Sequence, residues 1–355
     1  MTNVLFDHQI FYKVYGGASK YFVMLLTHLP DTIRWQTSAL VSMNEYVRAH
    51  HLLAYTGKKF KGEPWLLEHL NRPYTNLRLR MGRFDVFHQT DFGTFCLNSI
   101  GKKPMVTTFH DTNLSTFDPH PEIVERQRKS LERADAIVVV SENTKQSMLQ
   151  FFDVDERKVH VIYHGIEMPS ADILSLPRAY AFPYILYVGR RSEYKNFRRF
   201  IEAFAQVHRQ HPDLHVVCTS LPFSAEENAL FGQLGISDKV HRIFADEDTM
   251  KVLYRDAECF VFPSIYEGFG MPILEAWCCH CPVVLSNASC FPEIAGEAGL
   301  FFAPEETDDM AAKMTRIIED RELRQSLVGK GNERVKLFSW DSCARKHQEV
   351  YESLA

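Results

Sequence analysis

Two glutamates, Glu267 and Glu275, stand at the ends of the run EGFGMPILE. The residues before it, AECFVFP, form a short apolar run of strand type. Those after it, PILEAWCCH, open a helix with Pro272 near the first helical position, where its missing N–H is harmless. The run is therefore expected to be a strand-to-helix loop, the place where open α/β sheets hold ligands. Gly268 and Gly270 lack side chains, so a ligand can come close to the backbone. The amides from Phe269 to Ile273 would open the helix, and the positive end of a helix suits a phosphate. Glu275, placed in the first helical turn, can accept two hydrogen bonds from a vicinal diol such as a ribose. These parts suit a nucleoside diphosphate, with Glu267 meeting whatever lies beyond the phosphates. The competing reading is a helix N-terminus whose acidic residues merely complement the dipole.

Two other segments bear on that choice. YVGRRSEYKNF places Arg190, Arg191 and Lys195 after a strand and before a helix. A diphosphate needs cations, and positive charge at a helix start is disfavoured unless an anion is present. The alternative is a solvated basic helix start. VYGGASKYF sets Gly16 and Gly17 between the first strand and the first helix. It is not GxGxxG, so the nicotinamide or flavin fingerprint is absent. A glycine pair there can approach a phosphate, or be a simple turn.

Strand-like and helix-like runs alternate along the whole chain. NVLFDHQI, WQTSALV, FDVFHQT, KPMVTTFHD, DAIVVVS and KVHVIYHGI are short apolar runs of the first half. FPYILYVGR, LHVVCTS, KVHRIFA, ECFVFPS and CPVVLSN follow in the second. Such alternation implies βαβ units and parallel sheets. With 355 residues, two domains are expected. The run Glu167 to Pro183, with its three prolines, reads as the linker between them. The expected division is 1–166, a linker 167–183, 184–338, and a terminal helix 339–355 capped by Ser339 or Asp341. The two domains would face each other across a cleft.

The net charge of −5 argues against nucleic-acid binding by bulk charge. No signal peptide and no spanning helix is expected, which points to the cytoplasm or the cytoplasmic face of a membrane. Of the eight cysteines, Cys278, Cys281 and Cys290 with His280 are a conceivable zinc set. The apolar helix that carries most of them favours plain buried thiols.

With these residues in hand, the chain resembles the retaining glycosyltransferases of the GT-B fold, family four. The resemblance spans nearly the whole chain. It is carried by EGFGMPILE, by PVVLSNASCFPEIAGEAGLFFAP after it, by YVGRRSEYKNF, by SENTK and VIYHGIE, and by FSWDSCARKHQEVY at the end, which resembles the family's terminal helix that crosses back to the first domain. It implies an α/β fold of two Rossmann-like, doubly wound, parallel-sheet domains. It also implies a set of roles. Arg190 and Lys195 would bind the donor diphosphate and stabilise the leaving group, and Glu275 would hold the ribose. Glu267 would contact the transferred sugar near its anomeric carbon. Gly268, Phe269, Gly270 and Met271 would offer backbone amides, and Gly16 and Gly17 would complete the phosphate site. His110 would act beside the sugar, and the base would lie near Phe244 and Ala245. Ala245 stands where many relatives carry glycine, which leaves the local backbone there open.

The implied reaction moves a hexose from a nucleotide sugar to an acceptor hydroxyl with retention of configuration. No cofactor and no metal is implied. The resemblance leans toward bacterial mannosyltransferases of polysaccharide assembly, with GDP-mannose as the matching donor, although users of UDP-glucose share these motifs. The acceptor would be a saccharide or a lipid-linked saccharide docked on the first domain, with His88, Asp91 and Asp111 as candidate contacts. The basic segment from Lys58 to Arg83, which carries Trp65, Leu66, Leu67 and Leu70, would either rest on an anionic membrane or pack as an ordinary helix. Two rivals remain: a noncatalytic nucleotide-sugar-binding subunit, and an epimerase or hydrolase of the same fold.

Overall fold

The computed structural model describes residues 1–55, 63–112, 120–169 and 175–355. The chain divides into two compact units. One is Met1–Gly165 joined by Phe338–Ala355; the other is Ile166–Leu337.

The first unit is a six-stranded sheet of β1 (Thr2–Phe6), β2 (Ile33–Thr37), β3 (Val86–Gln89), β4 (Met105–Phe109), β5 (Ala136–Val139) and β6 (Val159–Val161). Its order is β2-β1-β3-β4-β5-β6, with every pairing parallel. Runs such as MVTTF and AIVV are buried at every position because helices cover both faces of a parallel sheet. The covering helices are α1 (Gly17–His28), α2 (Glu45–Ala49), α3 (Glu63–Met81), α4 (Pro121–Arg133) and α5 (Glu142–Phe151).

The second unit repeats the plan. Its strands are β7 (Tyr184–Tyr187), β8 (His215–Thr219), β9 (Val240–Ile243), β10 (Cys259–Phe262), β11 (Val283–Ser286) and β12 (Gly299–Phe302). They lie in the order β12-β11-β10-β7-β8-β9, again all parallel. Around them pack α6 (Phe197–Gln210), α7 (Ala225–Leu234), α8 (Glu247–Asp256), α9 (Met271–Cys278), α10 (Phe291–Ala295), α11 (Thr307–Glu319) and α12 (Arg321–Arg334). The last helix, α13 (Trp340–Leu354), belongs to the first unit and is capped by Ser339, whose side chain accepts from the Ser342 amide. Trp340, Cys343, Val350 and Tyr351 of α13 share a core with Val4, Phe6 and Phe22. Gly165 lets the chain pass under its start: a Cβ there would meet the Trp340 amide nitrogen at 2.2 Å.

In each sheet the winding reverses once. The chain steps from β1 to β2 on one side and later to β3 on the other. In the second unit it steps from β7 to β8 and later to β10. Loops leaving the C-terminal ends of such a strand pair diverge and leave a crevice between them, where open α/β sheets take ligands. The crevice pairs here are β1/β3 and β7/β10.

Three expectations change. NVLFDHQI is not one strand: β1 ends at Phe6 and Gln9–Tyr12 forms a 3-10 turn. The Asp7 carboxylate draws the chain round by accepting from both the backbone and the side-chain nitrogen of Gln9. Glu275 lies in the second turn of α9, because the helix begins at Met271 and no acidic residue occupies its first turn. It is therefore no mere partner of the helix dipole. Third, the parts of Glu167–Pro183 that are described group with the second unit; residues 170–174 lie outside the described residues. Tyr180 and Phe182 stack on one another, Phe182 stacks on His215 and His241, and Arg255 donates to the Leu176 carbonyl.

The eight cysteines are buried and unbridged. Burial pushes the thiols of Cys278 and Cys279 up to about 12 and about 11, which suits inert packing. Among the described residues no group of three or more His, Cys, Asp or Glu side chains could hold a metal ion. Among them, too, no helix is long and apolar enough to cross a membrane.

Candidate active site

The second crevice carries the residues that the sequence singles out. The loop after β7 turns at Gly189, whose φ of +113° favours glycine. The Tyr187 hydroxyl then donates to the Arg190 carbonyl, and the Tyr194 carbonyl accepts from the Ile265 amide at 2.8 Å. That last bond ties the loop after β7 to the loop after β10. It brings Lys195 Nζ within 2.5 Å of Glu267 Oε1, with the two side chains only 17% and 13% exposed. The ammonium also lies over the rings of Tyr194 and Phe262. Asn196, the next residue, sits at φ +57°, which asparagine tolerates, and its amide donates to the Pro304 carbonyl before α6 begins.

Glu267 is fixed from a third side. Ser289, in the loop after β11 and itself at φ +56°, accepts from the Glu267 amide at 3.1 Å and donates to the Glu267 carbonyl at 2.6 Å. Ser286 of β11 donates to the Ser264 carbonyl in the same way. Sequence reasoning missed Ser289. Its only signal was a small polar residue in SNASCF between a strand and a helix containing proline.

Past Glu267 the chain runs through Phe269, which is buried, to Gly270 at φ +89°. Gly270 is the N-cap of α9, and a Cβ there would press on Phe291 and Ile273 at 3.1 and 3.2 Å. The amides of Met271 and its neighbours thus open α9 beside the Lys195–Glu267 pair. One turn further in, Glu275 accepts a hydrogen bond from the Tyr254 hydroxyl at 3.2 Å. Burial and then this carboxylate hold the Tyr254 phenol well above its ordinary range, so it stays a donor.

The three cations of YVGRRSEYKNF separate in space. Arg190 is exposed, and its guanidinium has no partner among the described residues. Arg191, read as a further phosphate ligand, is occupied elsewhere. It is 6% exposed, pairs with Glu227 at 2.6 Å, donates to the Leu221 and Pro222 carbonyls, and stacks on Phe197 and Phe223. Adjacent loop residues point in different directions, and a guanidinium with so many partners is part of the packing. Phe244 and Ala245 follow edge strand β9, and Phe244 is 81% exposed, open to stacking.

The other predicted residues belong to the first unit. Gly16 is the N-cap of α1 and Gly17 its first residue; both are exposed, and a Cβ on Gly17 would meet nothing. His110 directly follows β4, its ring edge-on to Tyr21 of α1 at 5.1 Å. Burial pushes it down to about 4, so it is neutral at pH 7, and its Nε2 has no partner among the described residues. His88 is corrected. It is fully buried, with Nδ1 on the Tyr351 hydroxyl and Nε2 on Thr108 Oγ1, and cannot touch an acceptor. It fastens α13 to the sheet, while the Tyr21 hydroxyl of α1 fastens the same helix to α1 through its 2.8 Å bond with His347.

Of the basic segment, Lys58, Lys59 and Lys61 lie outside the described residues. The described part, α3, buries Leu67, Asn71, Thr75 and Leu79 along one face. Leu66, Leu70, Leu77 and Met81 form a second stripe that faces solvent.

Comparison with known proteins agrees with this layout. Residues 15–168 match the family described as Glycosyltransferase Family 4, and residues 176–334 match Glycosyl transferases group 1. The chain is 28% identical over 267 residues to an O-antigen chain mannosyltransferase B of Escherichia coli, covering 70% of each. It is 29% identical over 301 residues to an MMP alpha-(1->4)-mannosyltransferase of Mycolicibacterium hassiacum, covering 77% of this chain and 71% of that one. Anabaena HepE, solved in complex with UDP and glucose, superposes over all of both chains with a TM-score of 0.79 at 19% identity. A galactosyltransferase of the lipopolysaccharide outer core, WaaB, superposes over 99% of each chain with a TM-score of 0.69 at 15% identity. With two doubly wound units and these matches on both, the chain belongs to the family four glycosyltransferases of the GT-B fold.

Proposed function

We propose that this glycosyltransferase moves a hexose, mannose foremost, from a nucleotide-diphosphate sugar to a hydroxyl of a saccharide or lipid-linked saccharide, with retention at the anomeric carbon. One observation carries the reading. A nearly buried lysine–glutamate pair lies at the β7/β10 crevice, beside the N-terminus of α9. Mannose is favoured by the relatives named as mannosyltransferases. The structural neighbour that holds UDP and glucose is more distant in sequence.

The leaving diphosphate gains negative charge in the transition state. Lys195, the unengaged Arg190 and the α9 amides meet that charge, which is preorganised electrostatic catalysis that needs no metal. Tyr254 aims the Glu275 carboxylate at the ribose diol. The family resemblance assigns Gly16 and Gly17 to the phosphates and His110, neutral at pH 7, to the sugar. Phe244 stacks on the base beside Ala245. Glu267, gripped by Lys195, contacts the sugar as a fixed hydrogen-bond acceptor. A carboxylate so held is a poor covalent nucleophile, which favours attack and departure on the same face.

The acceptor chemistry sets the location. A lipid-linked acceptor requires contact with the cytoplasmic face of a membrane, and the exposed stripe of α3 is the surface for it. The segment 63–83 carries four arginines against two glutamates in a chain of net charge −5.

The experiment offers GDP-mannose and UDP-glucose to the purified protein with methyl α-mannoside, and reads nucleotide release and the product's anomeric configuration by NMR. An α-linked disaccharide from an α-configured donor supports the reading. A β-linked product, or nucleotide release at full rate without any acceptor, refutes it.

A further inference from the structure

The two crevices share a feature beyond their topology. In the second unit, the segment between β7 and α6 gives Lys195, and the loop after β10 gives its partner Glu267. In the first unit, the segment between β1 and α1 gives Lys13, and the loop after β3 gives its partner Asp91. Lys13 Nζ lies 2.8 Å from Asp91 Oδ2. Each reversal point is therefore marked by one lysine–carboxylate pair built from corresponding parts of the fold.

Stability does not explain the first pair. Its side chains are 44% and 36% exposed, and such surface pairs contribute little to stability. Yet the surroundings fix Asp91 closely. Its Oδ1 accepts from the Phe92 amide, and its carbonyl accepts from Gln9 Nε2. The same Gln9 nitrogen donates to Asp7, and Asp7 also takes the amide and the hydroxyl of Thr90. Asp7 is fully buried, and burial pushes it up to about 6 despite those bonds. A buried carboxylate is costly to keep, and here it stitches the end of β1 to the end of β3, beneath Asp91.

Two further groups stand at this edge. Tyr12 is half-buried, and its hydroxyl is pushed up to about 12 by burial and then by Asp91 and other carboxylates. His8 is 1% exposed. Its Nδ1 bonds Thr75 Oγ1 at 2.7 Å, and its Nε2 is buried with no partner among the described residues. The edge thus offers a carboxylate with spare lone pairs, an ammonium with spare protons and a tyrosine ring, above a buried imidazole. The charges cancel within the pair, so the edge suits a neutral polyol better than a phosphate or a cation.

We propose that the C-terminal edge of β1 and β3 is a saccharide subsite for the acceptor, in which Asp91 accepts from two adjacent pyranose hydroxyls and Lys13 donates to one of them. Asp7 is a positioning residue that holds Asp91 in place. This rests on the transferase reading, which supplies the need for a saccharide acceptor.

The test uses methyl α-mannoside, methyl α-glucoside and methyl α-galactoside as probes, with binding read by saturation-transfer NMR on the full chain. Thermal shifts with GDP and UDP are read in parallel. At least one hexoside should bind, and Asp91→Asn and Lys13→Ala should each weaken it tenfold or more while the nucleotide shift stays unchanged. Asp91→Glu should restore part of the binding, which separates a direct contact from a folding defect. Binding of none of the three hexosides, unchanged binding in both variants, or a parallel loss of the nucleotide shift overturns the subsite. Should the hexoside results hold while neither nucleotide shifts the parent protein, the subsite stands and the transferase reading falls.

Discussion

Lys195 and Glu267 are 72 residues apart in sequence and 2.5 Å apart in the fold. Both are largely shielded from water, so neither is a surface accident. The pair exists because a backbone bond from Ile265 to Tyr194 draws two crevice loops together. Removing one partner should therefore have two separable effects. Lys195→Ala should lower the transfer rate by roughly 10²–10³, the usual loss when one transition-state donor is removed. It should also lower stability, because Glu267 is left without its cation. The double variant Lys195→Met/Glu267→Gln should recover melting temperature but not rate. Activity that returns with stability would mean that the pair is structural only.

Arg190 and Arg191 are neighbours in sequence with opposite expected phenotypes. Arg191→Ala should destabilise by about 1–3 kcal/mol, since Glu227 and two carbonyls lose their donor, and leave donor affinity near normal. Arg190→Ala should leave the melting temperature unchanged and weaken nucleotide-diphosphate binding several-fold. Denaturant melts and nucleotide titrations on both variants check the split.

Glu275 should be the residue that reads the ribose. Glu275→Ala is expected to raise the donor KM by about 10–100-fold, the loss of a bidentate charged hydrogen bond in a partly buried site. Tyr254→Phe should act in the same direction more weakly, because it removes only the hydroxyl that orients the carboxylate. A 2′,3′-dideoxyribose donor analogue should bind equally to the parent and to Glu275→Ala.

Acid should undo the first unit before the second. Burial pushes His8, His110 and His347 down to about 4, and holds His88 and His164 well below the ordinary value; all five lie in the first unit. A histidine with a lowered folded pKa contributes stability that is complete above its unfolded value near 6.5. That stability is lost as pH falls toward the folded value, on the order of 3 kcal/mol for each group near 4. Asp7 works in the opposite sense. Raised to about 6, it favours the fold below its unfolded value of 3.8, and that contribution is lost as pH rises through 6. Five histidines outweigh one aspartate, so net stability should fall between pH 6.5 and 4. Hydrogen exchange at pH 7 and pH 4.5 should show protection lost first in α13 and in the strands around His88. Uniform loss in both units would contradict this.

The exposed stripe of α3 should bind anionic lipid. Vesicles containing phosphatidylglycerol should sediment the protein, and pure phosphatidylcholine should not. Leu70→Glu with Leu77→Glu should abolish the effect without lowering the melting temperature, because both side chains already face solvent.

The alternation of apolar runs made the architecture legible, because buried parallel strands such as CFVF and VVLS show no polar face. Composition alone did not show where β1 stops. The turn after Phe6 is made by Asp7 gripping Gln9, a local hydrogen bond that overrides an apolar run. The residues proposed to hold the donor stood out because glycines, a helix start and acidic residues fall within one loop. Ser289 was not, since its grip on Glu267 depends on a left-handed turn that serine seldom adopts. Spacing could not separate Arg190 from Arg191, or tell that His88 faces the core; the direction in which a loop or strand-end side chain points is settled by packing.

The most direct measurement is thermal denaturation with GDP, UDP and their sugar conjugates, on the parent protein and on Lys195→Ala and Glu275→Ala. One nucleotide diphosphate at a hundred times its dissociation constant should stabilise the parent by about 2.7 kcal/mol, and both variants should lose most of that gain at the same concentration. Equal stabilisation of all three proteins, or none of the parent by any nucleotide, would contradict a nucleotide-sugar site built on these residues.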